Sequence, residues 1–303
     1  MTEFALLAGQ GFNGISLASI LLLAALGLAL SFGLMGVINM AHGELLMTGG
    51  YLTYVTLQFL PHGIGYPIGL LVAFIGTALF AGALEVTLIR RLYGRPLDTL
   101  LATWGVSLIL QQAARSIFGP IGDEVTAPGW LAGSLTVAHG PLTGFALPLS
   151  RMFIIALSAG VLGLIAILLT RTRMGLLVQA VHQDRAMAEA LGINTRTVDL
   201  VVFAIGGGVA GLAGGALALI APVTPTVGQS YIVYAFLVVI VGGLGSLPGT
   251  ALAALLIGLL SAGWQIFTSV STSDVLLLIF VIAFIQFRPR GIVNVRSRSL
   301  EEA

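Results

Sequence analysis

Three polar side chains occur close together between two apolar segments: Asn39, His42 and Glu44. Such groups are costly at membrane depth, where they usually line a pathway, relay a proton or accompany a break in a helix. The alternative is a short turn outside the membrane, in which Asn39 caps a helix and Glu44 favours its positive N-terminus. The residue types leave both open, and the strictly apolar flanks favour the pathway hypothesis.

A second polar stretch lies in the other half of the chain. Residues 222–231 include Gln229 and Ser230, and a glycine-rich run follows at 242–249. Each half thus has an apolar segment, a polar stretch with glycine and a further apolar segment. Transporters often carry internal repeats whose broken helices face the substrate. Two unrelated loops are the alternative.

A polar stripe is predicted where Thr103, Ser107 and Gln111 follow one another at four-residue spacing. In a helix this spacing places the three side chains on one face. They could hydrogen-bond a small neutral solute, or they could bond neighbouring helices. Both interpretations stand.

The composition indicates that these groups are held by membrane-spanning helices. The chain has 303 residues, of which 57% are apolar and only 8% charged, and a mean hydropathy of +1.06. Soluble domains carry about 25% charged residues, so a soluble enzyme, a nucleic-acid binder and a disordered chain are all disfavoured. The net charge of +1 gives no reason to expect a nucleic-acid partner, whereas membrane lipid is expected around the helices.

Long runs without any charged residue predict the spans. Residues 4–43, 45–84 and 200–273 contain no Asp, Glu, Lys or Arg, and a helix needs about 20 apolar residues to cross a bilayer. The predicted segments are 15–38, 44–60, 66–89, 98–118, 151–170, 200–221, 231–245, 249–267 and 274–287. The seventh and ninth are short, which leaves eight or nine crossings and room for broken or re-entrant helices.

The predicted fold class is therefore an all-α integral membrane protein, a polytopic bundle of eight to nine transmembrane helices. The longest loops are too short to bury a core of their own, so residues 1–303 form a single domain. Small residues at Gly207, Gly211 and Gly215 indicate close helix packing.

Arginine placement predicts the orientation. Eleven of the 13 arginines fall in three clusters, after the third segment, after the fifth and in the C-terminal tail. The positive-inside rule places these clusters in the cytoplasm, with the N-terminus outside and the C-terminus cytoplasmic.

Several chemistries are excluded by what the sequence lacks. All 13 basic residues are arginine, so the lysine of a nucleotide-binding P-loop is missing, and ATP hydrolysis would need another subunit. Neither H-E-x-x-H nor G-x-S-x-G occurs, and without cysteine there are no thiolate ligands. We therefore expect no enzyme activity, no metal and no cofactor.

The long inner loop, about 171–199, is the largest polar segment between spans. Residues 175–191 contain helix formers and no proline, and Gly192 follows as a helix-ending residue. The apolar residues of this helix are compatible with a membrane-parallel helix that packs on its own bundle, or with a docking helix for a cytoplasmic partner.

Four motifs resemble the permease subunits of bacterial ABC importers of the branched-chain amino acid family. They are V-I-N-M-A-H-G-E (37–44), Q-D-R-A-M-A-E-A-L-G-I-N (183–194), G-G-L-G-S-L-P-G-T (242–250) and Q-F-R-P-R-G-I (286–292). Within that family, residues 92–112 and 228–233 look most like the urea-importer permease.

The resemblance implies an inner-membrane importer for urea, a related short amide or an amino acid. It implies no cofactor. It implies a second permease subunit, two cytoplasmic ATP-binding subunits and a periplasmic solute-binding protein. It places near the translocation path Asn39, His42, Glu44, Gln229 and Ser230, to which the polar stripe adds Thr103 and Gln111. It assigns to ATPase coupling Asp184, Arg185, Ala188, Glu189, Leu191 and Gly192. A stand-alone channel or ion-coupled carrier, with His42 and Glu44 as a proton or filter site, is the alternative.

Overall fold

The computed structural model describes residues 3–136 and 146–293, and this part of the chain is almost entirely helical. Arg296 and Arg298 of the predicted cytoplasmic tail lie outside it. Its helices are α1 (Glu3–Met35), α2 (His42–Phe59), α3 (His62–Thr87), α4 (Pro96–Phe118), α5 (Leu149–Arg171), α6 (Arg173–Gln183), α7 (Arg185–Ala190), α8 (Thr195–Leu217), α9 (Val227–Gly242), α10 (Leu247–Trp264) and α11 (Val270–Phe287). A 3-10 turn at Ile89–Arg91 follows α3, and strands β1 (Ser134–Thr136) and β2 (Ala146–Pro148) pair antiparallel in the loop before α5.

Each of the nine predicted segments corresponds to one of the longer helices, which confirms the all-α fold class. Six of these helices are long and apolar enough to cross a membrane: α1, α3, α5, α8, α10 and α11. The other three are α2, α4 and α9, and α9 is a shorter apolar helix of 16 residues.

The predicted boundaries differ from the structure by up to four residues, except at two helix starts where the difference is larger. Helix α1 begins at Glu3 rather than near residue 15, and α8 begins at Thr195 rather than at residue 200. The second difference has a local cause, because the Asn194 side chain accepts a hydrogen bond from the Thr197 amide and so caps the helix ahead of Asp199.

Helix α1 lies in the middle of the bundle. It packs against α5, α8, α9 and α10, and the side chains from Ile20 to Leu30 are almost all buried. A helix that is apolar on every side must be surrounded by other helices or by lipid. The sequence of α1 therefore accounts for its central position.

The helices before and after α5 repeat one packing arrangement. Helix α1 packs on α10 as α8 packs on α3, and α2 packs on α8 as α9 packs on α1. The pairs α2–α3 and α2–α4 are matched by α9–α10 and α9–α11. This correspondence between α1–α4 and α8–α11 supports an internal repeat over two unrelated loops.

Glycines allow the two sets of helices to touch backbone to backbone. A Cβ atom on Gly206 would lie 2.7 Å from the carbonyl oxygen of Gly27, and one on Gly228 would overlap the carbonyl of Gly43. Gly207 and Gly211 likewise bring α8 against α3. The prediction that the α8 glycines serve helix packing is confirmed.

Candidate functional site

The chain between α1 and α2 forms a non-helical joint, which we define as residues 36–41. Gly36 begins it with a φ of +66°, a conformation that favours glycine. The Asn39 side chain accepts a hydrogen bond from the Ala41 amide at 3.0 Å, and α2 begins at His42. Asn39 thus forms a turn before α2 but does not cap the helix as the turn interpretation expected, because the N-cap residue is Ala41 and no side chain of the described residues caps α2. Asn39 is also completely buried.

Glu44 is buried in the first turn of α2 and faces the polar stripe of α4. Its Oε1 atom accepts hydrogen bonds from Ser107 Oγ at 2.9 Å and from Gln111 Nε2 at 2.8 Å. Thr103 Oγ1 accepts one from the Met40 amide at 3.1 Å. The prediction of a shared face is confirmed. The side chains of this stripe form hydrogen bonds with α2 and with the joint before it.

Two polar atoms at this site have no hydrogen-bond partner within the described chain. They are Oε2 of Glu44 and Nδ2 of Asn39. Buried polar groups are almost always paired, so an unpaired carboxylate oxygen and an unpaired amide donor need a reason. A donor beside Oε2 and an acceptor beside Nδ2 would satisfy these two atoms.

His42 occupies a different environment from Glu44. Its Nε2 atom lies 3.1 Å from the Ala24 carbonyl of α1, and its ring is packed against Gly27. The surrounding side chains are mainly apolar and include Leu46, Ala210, Tyr231, Ile232 and Ala235. His42 therefore links α2 to α1. It forms no hydrogen bond with the Glu44 carboxylate.

Gln229 and Ser230 are exposed at the start of α9. They follow Gly228, whose backbone touches Gly43 at the start of α2. The structure thus brings the two predicted polar segments together through their helix N-termini, while the side chains of Gln229 and Ser230 stay outside the buried cluster.

The loop after α4 contacts the segment between α8 and α9. Asp123 pairs with Val223 through two backbone hydrogen bonds of 3.0 and 2.8 Å. Beside this pair is a cavity of about 210 Å³, lined by Glu124, Val125 and residues 218–222. It lies at the end of α8, opposite to the end that carries α7.

The inner loop forms two helices where one was predicted. Helix α6 ends at Gln183, and α7 begins at Arg185 because Asp184 takes an extended backbone and its side chain accepts a hydrogen bond from the Met187 amide. The prediction of one continuous helix is therefore wrong. The prediction that Gly192 ends the helix is confirmed by its φ of +83° and its hydrogen bond to the Glu189 carbonyl.

Two large apolar side chains are exposed in this polar loop, one in α7 and one directly after it, with the exposed Glu189 beside them. Met187 and Leu191 are 58% and 74% exposed, whereas Ala188 is buried against the bundle. Exposed apolar side chains on a short helix are typical of a contact surface.

An ion-pair network, which the sequence pattern did not predict, fixes α7 to the C-terminal end of α3 and the N-terminal end of α8. Its members are Glu85, Arg90, Tyr93, Arg185 and Asp199. Burial by itself lowers the pKa of Arg185, but the hydrogen bond and charge of Asp199 raise that pKa above its ordinary value, so the guanidinium stays charged. Burial also raises the pKa of the Tyr93 hydroxyl, which therefore stays a donor.

Comparison of the sequence with known protein families identifies the family of this chain. Residues 11–285 match the family described as the permease component of the branched-chain amino acid transport system. The chain belongs to this family. It is a multi-pass membrane protein with the all-α fold that the sequence predicted.

Individual relatives of this permease-family chain cover nearly its whole length. It is 30% identical to the high-affinity branched-chain amino acid transport system permease protein LivH of Escherichia coli, over 96% of this chain and 97% of that protein. It is 28% identical to the high-affinity branched-chain amino acid transport system permease protein BraD of Pseudomonas aeruginosa, over 94% of this chain and 95% of that protein. The fructose import permease protein FruF of Bifidobacterium longum is 28% identical over a shorter part, 79% of this chain and 65% of that protein. No solved structure gives a significant match.

Proposed function

We propose that this chain is a permease subunit of an ABC importer for branched-chain amino acids in the inner membrane. The observation that carries the proposal is the family match over residues 11–285. Relatives that cover almost the full chain are named for branched-chain amino acids, which supports an amino acid over urea. The N-terminus lies outside and the C-terminus in the cytoplasm.

The permease functions with partners. A second permease subunit completes the translocation path, and a periplasmic solute-binding protein delivers the substrate. Two cytoplasmic ATP-binding subunits supply the energy, because the chain has no lysine and hence no P-loop of its own. Coupling runs through α7 and its C-terminal turn, with Asp184, Arg185, Ala188, Glu189, Leu191 and Gly192.

The path follows the contact between the N-termini of α2 and α9. Helix N-termini carry partial positive charge and attract a carboxylate, so the two N-termini that meet at Gly43 and Gly228 would attract the acid group of an amino acid once this closed contact opens. The unpaired Oε2 of Glu44 would attract the ammonium group. Asn39, His42, Thr103 and Gln111 hold this site, and Gln229 and Ser230 lie where α9 enters it.

Urea is the second candidate substrate. The segment 92–112, which resembles urea-importer permeases, carries the stripe of Thr103, Ser107 and Gln111. Hydroxyl and amide groups suit a small neutral solute as well as a zwitterion.

The test is uptake by the importer reconstituted in liposomes with its ATP-binding subunits and solute-binding protein. We expect ATP-dependent uptake of labelled leucine that unlabelled valine and isoleucine inhibit and that urea and acetamide do not. Inhibition by urea but not by valine would assign the urea branch instead. Uptake by the permease alone, without ATP-binding subunits, would support a channel or carrier and refute the importer.

A further inference from the structure

Helix α7 is too short to be held by its own hydrogen bonds. It has six residues, whereas isolated helices need about 12–15 residues even to be marginal. Its two ends are fixed by the Asp184 cap and by the Gly192 turn. Its position relative to the bundle therefore depends on its contacts with α6 and α8, on the buried Ala188 and on the polar side chains that reach the bundle.

Arg185, the first residue of α7, reaches α8. Its Nη2 atom lies 2.6 Å from Asp199 Oδ2 and 3.3 Å from Thr195 Oγ1, and Thr195 in turn donates to Glu189 Oε1 at 2.7 Å. The Asp199 side chain is only 2% exposed, so Arg185 compensates a charge that water hardly reaches. Removing one member of such a pair leaves an uncompensated buried charge.

The same guanidinium reaches α3 by a second route. It lies 5.2 Å from the centre of the Tyr93 ring, a distance typical of a cation–π contact. The Tyr93 hydroxyl donates to Glu85 Oε1 at 3.3 Å, and Glu85, which is fully buried near the end of α3, is held by Arg90 at 2.8 Å. One side chain therefore joins α7 to both helices.

The two helices that Arg185 reaches are packed tightly against each other. Gly207 of α8 faces Ala81 of α3, and Gly211 faces Thr77, at distances that leave no room for a methyl group. Closely packed helices shift as a unit more readily than they separate. A force applied to α3 and α8 at their inner ends would thus act on both.

We propose that Arg185 is the positioning residue that transmits displacement of α7 to the α3–α8 pair. The proposal rests on the proposed docking of α7 to an ATP-binding subunit. When that subunit moves α7, the guanidinium pulls Asp199 directly and Glu85 through Tyr93. The start of α2 packs on α8, so the movement continues to the site around Glu44.

The test compares Arg185→Met with a matched control, Arg196→Met, in the reconstituted importer. Arg196 is exposed on the first turn of α8, one residue after Thr195. Tyr93→Leu removes both the aromatic ring under Arg185 and the hydroxyl that donates to Glu85, and Arg185→Lys keeps the charge. Three quantities are measured for each variant: co-purification of the ATP-binding subunits, ATP hydrolysis, and leucine taken up per ATP hydrolysed.

We expect Arg185→Met and Tyr93→Leu to retain the ATP-binding subunits but to lower leucine uptake per ATP by about tenfold, within the range of measured coupling energies. Arg185→Lys should recover part of the loss, and Arg196→Met should match the unmodified chain. Unchanged uptake per ATP in both variants overturns the proposal. Loss of co-purification also overturns it, because these residues would then form the docking surface. Failure of all subunits to co-purify with the unmodified chain would instead refute the proposed function.

Discussion

Glu44 offers a direct test of whether the buried polar site serves transport or only stability. In Glu44→Gln the new amide oxygen can still accept the hydrogen bonds from Ser107 and Gln111, which lie 2.9 and 2.8 Å from Oε1. The new amide nitrogen takes the place of Oε2, which has no partner within the described chain. The hydrogen-bond arrangement is thus preserved while the charge is removed.

The magnitudes follow from the donors left behind. Glu44→Leu removes the acceptor of two buried donors, and each unsatisfied donor costs about 1–3 kcal/mol. Gln111 keeps a second acceptor in Ser107 Oγ at 3.2 Å, so the total loss should stay near about 1–3 kcal/mol. For Glu44→Gln we expect a loss below about 1 kcal/mol, the size of a typical single net hydrogen bond.

Two measurements separate the roles: the thermal unfolding midpoint of the purified importer and leucine uptake in liposomes. We expect Glu44→Gln to keep its midpoint within about 2 °C and Glu44→Leu to lose roughly 2–6 °C. We expect uptake to fall at least about tenfold in both, equivalent to about 1.4 kcal/mol, because the carboxylate charge is needed for the ammonium group. Normal uptake by Glu44→Gln would refute the pathway role, and equal destabilisation by both variants would refute the hydrogen-bond reasoning.

Three further predictions concern packing, docking and orientation. Gly228→Ala should destabilise the importer by about 1–3 kcal/mol through overlap with α2, whereas Gly105→Ala, which faces open space, should not; thermal unfolding compares them. Met187→Asp should abolish co-purification of the ATP-binding subunits while membrane abundance stays normal, since the change charges an exposed apolar surface. Because the chain has no native cysteine, Arg95→Cys should react with a membrane-impermeant thiol reagent only from the cytoplasm and Gly129→Cys only from outside; the opposite pattern would invert the orientation.

The spans could be predicted because charge is excluded from them. The ends of the charge-free runs at Glu44, Glu85, Asp199 and Asp274 fall at or near helix ends, and each predicted segment overlaps one helix. The common face of Thr103, Ser107 and Gln111 followed from helix geometry alone. That this face meets Glu44 is a tertiary contact, and no spacing along the chain indicates which helix lies opposite.

The ion-pair network was missed because it joins residues 85–93 to Arg185 and Asp199, which lie about a hundred residues further along the chain. Glu85 and Asp199 each lie at the edge of a charge-free run, and an acid in that position needs a nearby base. This observation could have found Arg90, five residues from Glu85, but not the pairing with Arg185. The break at Asp184 was missed for a related reason. An aspartate within a run of helix formers can continue the helix or cap a new one, and the distant contacts of Arg185 determine which of the two occurs.

The two glycine crossings make the chain comparable to a symmetric dimer fused into one polypeptide. In an isologous interface each residue near the two-fold axis meets its own counterpart. Gly27 meets Gly206 and Gly43 meets Gly228 in this manner, one pair from α1 and α8 and the other from α2 and α9. A substitution at either crossing therefore acts on both halves at once, so the two halves cannot diverge independently there, whereas the outward faces of α4 and α11 can.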